Sequence, residues 1–392
     1  MFASFGAGTA RGRPAEALHS STRLPALDGI RGIAIAFVVV FHAFLWSGFR
    51  PAVPVDRIVA ALSKPGWSGV DLFFVLSGFL ITGILYDAKG RDGYFRKFYT
   101  RRFLRIFPLY YGFLGVFFIV LPWLRPLGRH HSSLSNDQIW YWTYLANLSF
   151  ALKGLPPVRS LVHFWSLAVE EHFYLVWPWL VFTLDRRALK VACLGIAVGS
   201  LGARAAIWAA APHPTLQAYM LTPARMDALA VGALVALIAR EPGGLAGLAK
   251  WAPPAAASSA ALLGMVCFWR HDLLPTDAVV QTLGFTLLAI FFGSVLAIAV
   301  TSPPETLAGR FFAHPGLRFL GRYSYGLYVF HLPIMWYMRD VLNARSVPAL
   351  AGSQLAGQVL FTAATGSLTL AVAMVSWHFY EARFLKYKDL FA

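Results

Sequence analysis

The sequence predicts an all-α integral membrane protein of about ten transmembrane helices, with both termini cytoplasmic and no soluble domain. Of its 392 residues, 58% are hydrophobic and only 13% charged. Several apolar stretches reach the roughly 20 residues that cross a hydrocarbon core about 30 Å thick. Lysine and arginine are distributed unevenly between the intervening segments. Spans are expected at 28–48, 67–86, 106–124, 163–184, 189–210, 222–239, 251–269, 279–301, 319–338 and 356–379. With the N-terminus inside, 21 of the 34 Lys and Arg lie on internal segments and 10 on external ones, the remaining three (Arg31, Arg204, Arg225) being within spans. That asymmetry sets the orientation. It divides the chain into a basic cytoplasmic segment 1–23, a membrane domain 24–384 and a short cytoplasmic tail 385–392.

The net charge of +16 in so apolar a chain reads as loop charge facing anionic headgroups. Membrane lipids are therefore expected partners, and nucleic acid is not. The first 26 residues hold three arginines but no short apolar region followed by a small-residue cleavage site, so the first span is expected to be retained. Cys193 and Cys267 both lie in apolar stretches and form neither a disulfide framework nor a metal-ligand spacing. No internal repeat or low-complexity tract is present.

Taken in order, the first span, "LDGIRGIAIAFVVVFHAFLW", carries Arg31 and His42. Eleven positions on a helix rotate by about 1100° and rise about 16 Å, so the two residues share one face at different depths. Either they serve a cavity, or Arg31 snorkels to the headgroups while His42 packs near the outer interface. The second span, "GVDLFFVLSGFLITGILY", enters from outside and puts Asp71 at about the depth of His42. There it either orients that imidazole or caps its own helix. Ser77 and Gly78 lack the surrounding Gly-x-Ser-x-Gly elbow and read as helix packing.

Ahead of the third span, "YFRKFYTRRFLRIFPLYY" gathers Arg96, Lys97, Arg101, Arg102 and Arg105. Such a patch serves either topology and lipid phosphates or a phosphate clamp, because guanidinium forks bind phosphoryl oxygens bidentately. No P-loop or dinucleotide fingerprint accompanies it. The segment 125–162, with "QIWYWTYLANLSF", is expected to be an external interfacial aromatic helix rather than an extra membrane element. Trp140, Tyr141, Trp142 and Tyr144 there belong to an interfacial belt or stack on sugars.

The fourth span, "HFWSLAVEEHFYLVWPWL", brings His163, Trp165, Glu170, Glu171 and His172 into the outer half. Adjacent helical residues diverge by about 100°, so one glutamate is expected to face the cavity and the other to make a structural bond. The ninth span, "GRYSYGLYVFHLPIMW", holds His331, either a satisfied core histidine or a site residue. His130 and His131 have no spaced partners, His-Glu-x-x-His is absent, and no metal is expected.

Five stretches, "LDGIRGIAIAFVVVFHAF", "GVDLFFVLSGFLIT", "YTRRFLRIFPLYY", "FWSLAVEEHFYLVWP" and "RYSYGLYVFHLPI", stand in the order and spacing of the acyltransferase 3 family, and the sequence resembles that family from about 24 to 384. The resemblance implies an integral O-acyltransferase of the bacterial inner membrane. Its donor would be a cytoplasmic acyl-CoA, commonly acetyl-CoA, and its acceptor a hydroxyl of an envelope glycan or similar molecule. It implies catalysis by His42 in an Arg/Lys-x10-His signature with Arg31, donor handling by Arg101, Arg102 and Arg105, and matches at Ser77, Gly78, Glu170 and Glu171. His172 stands where many members have glutamine. Some members carry an added extracytoplasmic hydrolase-like domain; transfer without one is expected here.

The expected mechanism docks the donor phosphates at the cytoplasmic arginines and threads the pantetheine arm outward. His42, oriented by Asp71, then takes the acceptor proton. Asp71, Glu170 and Glu171 join His42 as catalytic candidates, with Ser77, Trp165 and His331 toward the substrate. Within enzymes the alternatives are an acyl-His42 or acyl-Ser77 intermediate and a small-molecule or lipid acceptor. Outside enzymes the alternative is a transporter of a lipid-linked glycan.

Overall fold

The computed structural model describes residues 24–123, 137–156 and 159–387. The basic segment 1–23, the pair His130 and His131, and residues 388–392 of the tail lie outside them. The described chain is helical, with no strand beyond an isolated bridge between Leu350 and Ser353.

The helices are α1 (Pro25–Trp46), α2 (Pro54–Ser63), α3 (Gly69–Ala88), α4 (Tyr94–Gly115), the short α5 (Gln138–Trp142) and α6 (Ala146–Lys153), and α7 (Phe164–Thr183). Next come α8 (Arg186–Ala210), α9 (Pro214–Met220), α10 (Thr222–Ala239), α11 (Gly244–Arg270) and α12 (Phe285–Thr301). The last are α13 (Leu307–Phe312), α14 (Pro315–Arg322), α15 (Ser324–Val341), α16 (Leu355–Ser376) and α17 (Ala382–Leu385). Local chemistry sets several starts. Pro25, Pro54, Pro214 and Pro315 occupy first turns, where the missing N–H costs nothing. Asp185 caps α8 by accepting from the Ala188 amide at 2.7 Å.

Eight helical stretches among the described residues are long and apolar enough to cross a membrane. They correspond to eight of the ten expected spans. The expected spans at 163–184 and 319–338 are α7 and the pair α14–α15, and their composition explains the difference. Glu170, Glu171 and His172 interrupt α7, while α15 carries His331, Arg339 and Asp340. The chain also breaks at Tyr323, so 319–338 is not one helix. Both helices are deeply packed, with Phe164, Ala168, Val169, Val329 and Leu332 fully buried.

α3 and α10 meet backbone to backbone. A Cβ on Gly78 would stand 1.9 Å from the Leu229 carbonyl oxygen, and one on Gly232 would stand 1.9 Å from that of Val75. Small residues are what allow helices to approach so closely in lipid. Gly78 is thus a packing residue, as its sequence context indicates.

The segment expected to be an interfacial aromatic helix packs into the protein instead. Tyr141, Ala146, Phe150 and Ala151 are buried. Tyr110 and Tyr111 of α4 donate to the Tyr141 and Trp142 carbonyls at 2.7 and 3.1 Å, and Asn147 donates to Met220 O at 3.2 Å. Tyr141 and Tyr144 are thereby removed from sugar stacking. Tyr144 sits at φ 56°, a left-handed conformation unusual for an aromatic residue, with its ring stacked 4.0 Å from that of Tyr110.

Candidate active site

All five motif stretches contribute residues to the lining of one cavity. Arg31 comes from α1, Ser77 from α3, Arg102 and Arg105 from α4, and Glu170, Glu171 and Tyr174 from α7. Tyr325 and Tyr328 of α15 complete the wall. Convergence of three guanidinium groups with two carboxyls on one cavity is costly to build in an apolar bundle and marks a functional site.

The Ser77 hydroxyl donates to Glu170 Oε1 at 2.6 Å and accepts from the Tyr174 hydroxyl at 3.1 Å. Ser77 is therefore a cavity residue, whereas its neighbour Gly78 is the packing one. Glu170 makes the structural bond expected of one glutamate, but both Glu170 and Glu171 line the cavity, which corrects the expectation that only one would. The cavity wraps around that side of α7. Arg102 lies over the Tyr174 ring at 5.1 Å, and Arg31 pairs with Asp28 at 2.9 Å. Arg101, one residue and about 100° away from Arg102, is exposed and does not line this cavity. A second, side cavity of about 1100 Å³ shares Arg102, Glu171 and Tyr174 with the first.

His42 is half-buried outside that lining and belongs to a group of three histidines. Its Nδ1 is 2.9 Å from the Val38 carbonyl oxygen and 3.2 Å from His331 Nε2. His331 is fully buried, and its Nδ1 is 2.7 Å from the Tyr328 carbonyl oxygen. The His163 ring centre is 4.9 Å from that of His331. Carbonyl oxygens only accept, so these contacts dictate tautomers. His331 donates through Nδ1–H and offers its Nε2 lone pair. His42 donates through Nδ1–H, leaving Nε2 as its basic nitrogen. Tyr328 links the two regions, since its side chain lines the arginine cavity while its carbonyl holds His331.

The expectation that Asp71 orients His42 is corrected. Asp71 is buried and bonded at 2.7 Å to Arg225 Nη2, because α3 packs along α10 and both residues stand near the starts of their helices. His331 takes the position against His42 that Asp71 was expected to hold. Trp165 likewise faces away from the cavity lining. With Phe285, Tyr219 and Phe74 it surrounds the Arg225 guanidinium, at 5.6 Å for Trp165 and 4.0 Å for Phe285. A second buried pair, Arg204–Asp227 at 2.8 Å, lies beside the first. Arg204 and Arg225, both within expected spans, thus pair with Asp227 and Asp71, and Asp227, two residues after Arg225, is the sequence feature that signals such pairing. Among the described residues no group of three His, Cys, Asp or Glu side chains has the arrangement of a metal site.

The chain is 29% identical over 343 residues to the peptidoglycan O-acetyltransferase OatA of Listeria monocytogenes, covering 83% of this chain and 51% of that protein. It is 25% identical over 356 residues to the O-acetyltransferase OatA of Staphylococcus aureus, covering 85% and 54%. The chain thus spans about half the length of these curated relatives. No solved structure matches it. The acyltransferase 3 family model, described as "Acyltransferase domain", matches residues 24–378, and the chain belongs to that family.

Proposed function

We propose that this protein is a membrane O-acyltransferase that moves an acetyl group from cytoplasmic acetyl-CoA to a hydroxyl of an envelope glycan, with His42 as general base. In this reading ten helices span the bacterial inner membrane, α7 and α15 included, and both termini are cytoplasmic. The two relatives above, O-acetyltransferases by name, support the acyl group, and the peptidoglycan enzyme supports the acceptor class.

The observation that carries the reading is the continuity from the arginine cavity through Tyr328 to His331 and His42. Arg102 and Arg105, the guanidinium groups of the basic motif that line the cavity, receive the donor phosphates. Arg31 lies along the pantetheine path, about 16 Å of helix from His42. His42 Nε2 takes the acceptor O–H proton as that oxygen attacks the thioester carbonyl. The C–S bond then breaks, and the coenzyme A thiolate leaves with the proton returned from His42. The Val38 carbonyl and His331 Nε2 keep the base nitrogen unprotonated by accepting from Nδ1–H. Asp71, bonded to Arg225, has no part in the proton transfer and holds α3 against α10.

The test is transfer of labelled acetyl from acetyl-CoA by purified protein in lipid nanodiscs. His42→Ala is expected to lower the rate by roughly 10²- to 10⁴-fold; a rate near wild type would sink the assignment.

One observation favours a second route. Ser77 donating to Glu170 at 2.6 Å is a nucleophile beside a base, and it would form an acyl-Ser77 intermediate before the acceptor binds. Incubation with labelled acetyl-CoA and no acceptor, followed by mass spectrometry of the peptide containing Ser77, separates the routes. Direct attack predicts no label there.

A further inference from the structure

The arginine cavity changes character along its length. Around Ser77, Glu170 and Tyr174 its wall is polar. One to two helical turns away, where α3 starts, the wall is Val70, Phe73, Phe74 and Leu167, and the polar lining residues at that end are Ser166 of α7 and Tyr328 of α15. Ring contacts fix this level. Phe73 meets Tyr328 edge to face at 6.0 Å, and Phe74 meets Trp165, the neighbour of Ser166, at 6.1 Å.

The two hydroxyls form a pair inside an apolar wall. Ser166 Oγ lies 2.5 Å from the Tyr328 hydroxyl oxygen, and both side chains are almost fully buried. Each also reaches the His163 carbonyl oxygen, Ser166 at 3.0 Å and Tyr328 at 3.2 Å. That carbonyl accepts from the Ser166 amide at 3.3 Å as well, so it stays satisfied without the tyrosine. With Ser166 donating to the phenol oxygen, the Tyr328 O–H keeps only its 3.2 Å bond and can turn to a ligand in the cavity. A hydroxyl that accepts one hydrogen bond donates the next more strongly. This end also adjoins the proposed base. The Tyr328 ring centre is 5.5 Å from that of His331, which is 5.0 Å from that of His42.

We propose that Tyr328 is a further catalytic residue, donating its O–H to the thioester carbonyl oxygen, and that Ser166 is its positioning residue. This rests on the reading of His42 as base. Phosphates held at Arg102 and Arg105 leave the apolar acyl end of the donor for the apolar end of the cavity, where among the lining side chains this pair alone can donate to a carbonyl. As the acceptor oxygen forms its bond to the carbonyl carbon, the C=O π electrons move onto oxygen, and Tyr328 stabilises that oxyanion. Its collapse restores C=O and breaks the C–S bond. A donor preset toward this oxygen acts on the transition state more than on the ground state.

The probe is acetyl-CoA carrying ¹³C at the carbonyl, bound to the full chain in nanodiscs and followed by isotope-edited infrared spectroscopy. In the wild type the labelled C=O band is expected below its position in an aprotic solvent, and in Tyr328→Phe at that position. Replacing Tyr328 by 3-fluorotyrosine, a stronger donor of the same shape, is expected to lower the band further, a gain that misfolding cannot produce. In turnover, Tyr328→Phe is expected to lower kcat roughly 10²-fold with the donor KM within twofold. Ser166→Ala is expected to lower kcat about three- to tenfold, the effect of one hydrogen bond. A band that neither Tyr328 replacement moves, or a near-wild-type kcat in Tyr328→Phe, would overturn the proposal. The two readings fail separately. A band that depends on Tyr328, together with a wild-type rate in His42→Ala, keeps the oxyanion donor and removes the base. His42-dependent transfer with an unmoved band removes Tyr328 and leaves the base.

Discussion

His42 shows how far residue-level reasoning reaches. Its spacing from Arg31 placed both on one helix face, but its partner was not legible, because the residue that contacts it is 289 positions away in sequence. Asp71 stood at a plausible depth, and depth alone does not fix azimuth. The structure instead gives His42 a neutral acceptor, and this leads to a prediction. His331→Leu removes the side-chain acceptor beside Nδ1–H, leaving the Val38 carbonyl, and is expected to lower kcat up to about tenfold, the effect of one hydrogen bond, with the donor KM unchanged. His331→Gln keeps an oxygen where Nε2 stands and is expected to recover most of the rate. Imidazole ¹⁵N shifts of His42 provide the readout that a merely structural role would not move: the Nδ1–H form in all three proteins, held by the Val38 carbonyl, with the Nδ1 resonance displaced only in the leucine variant.

The arginines divide at the same scale. Arg102 and Arg105 line the cavity and Arg101 does not, although the three are indistinguishable by composition. Charge-assisted phosphate contacts contribute about 1.5–3 kcal/mol each. Arg102→Gln is therefore expected to raise the donor KM at least about tenfold with kcat little changed, and Arg101→Gln to leave both within twofold. Equal effects at the two positions in a steady-state titration of acetyl-CoA would remove the phosphate role.

At the scale of elements, the glycines and the charged residues of α3 and α10 work together. Gly78 and Gly232 bring the two backbones into contact, and that approach lets Asp71 reach Arg225 within the apolar interior. Removing one partner of a buried pair leaves an uncompensated charge and costs about 3–5 kcal/mol, whereas removing both costs far less. Arg225→Met is expected to lower the melting temperature strongly, and Asp71→Asn combined with Arg225→Met to recover more than half of the loss. Additive losses in thermal melts of the nanodisc-held protein would show that the pair is not coupled. The apolar helices were legible from length and hydropathy. The two that fell short, α7 and α15, carry the glutamates and His331, so the features that lowered their apolarity are those that build the site.

At the scale of the whole molecule, the order of motifs along the chain was legible, and so was their convergence on one side-chain cluster. The division of that cluster into an arginine cavity, a histidine group and a separate ion-pair network was not, because it depends on which faces α3, α7 and α15 turn toward one another. The account places donor and acceptor on opposite membrane faces, with the cavity bringing acetyl-CoA to a base near the outer side. The most direct test supplies labelled, membrane-impermeant acetyl-CoA to sealed vesicles on one face at a time and follows label into glycan on the other. The account predicts labelled glycan on the outer face when donor is given only to the cytoplasmic face, and none from His42→Ala vesicles. Labelling that requires donor on the outer face would contradict it.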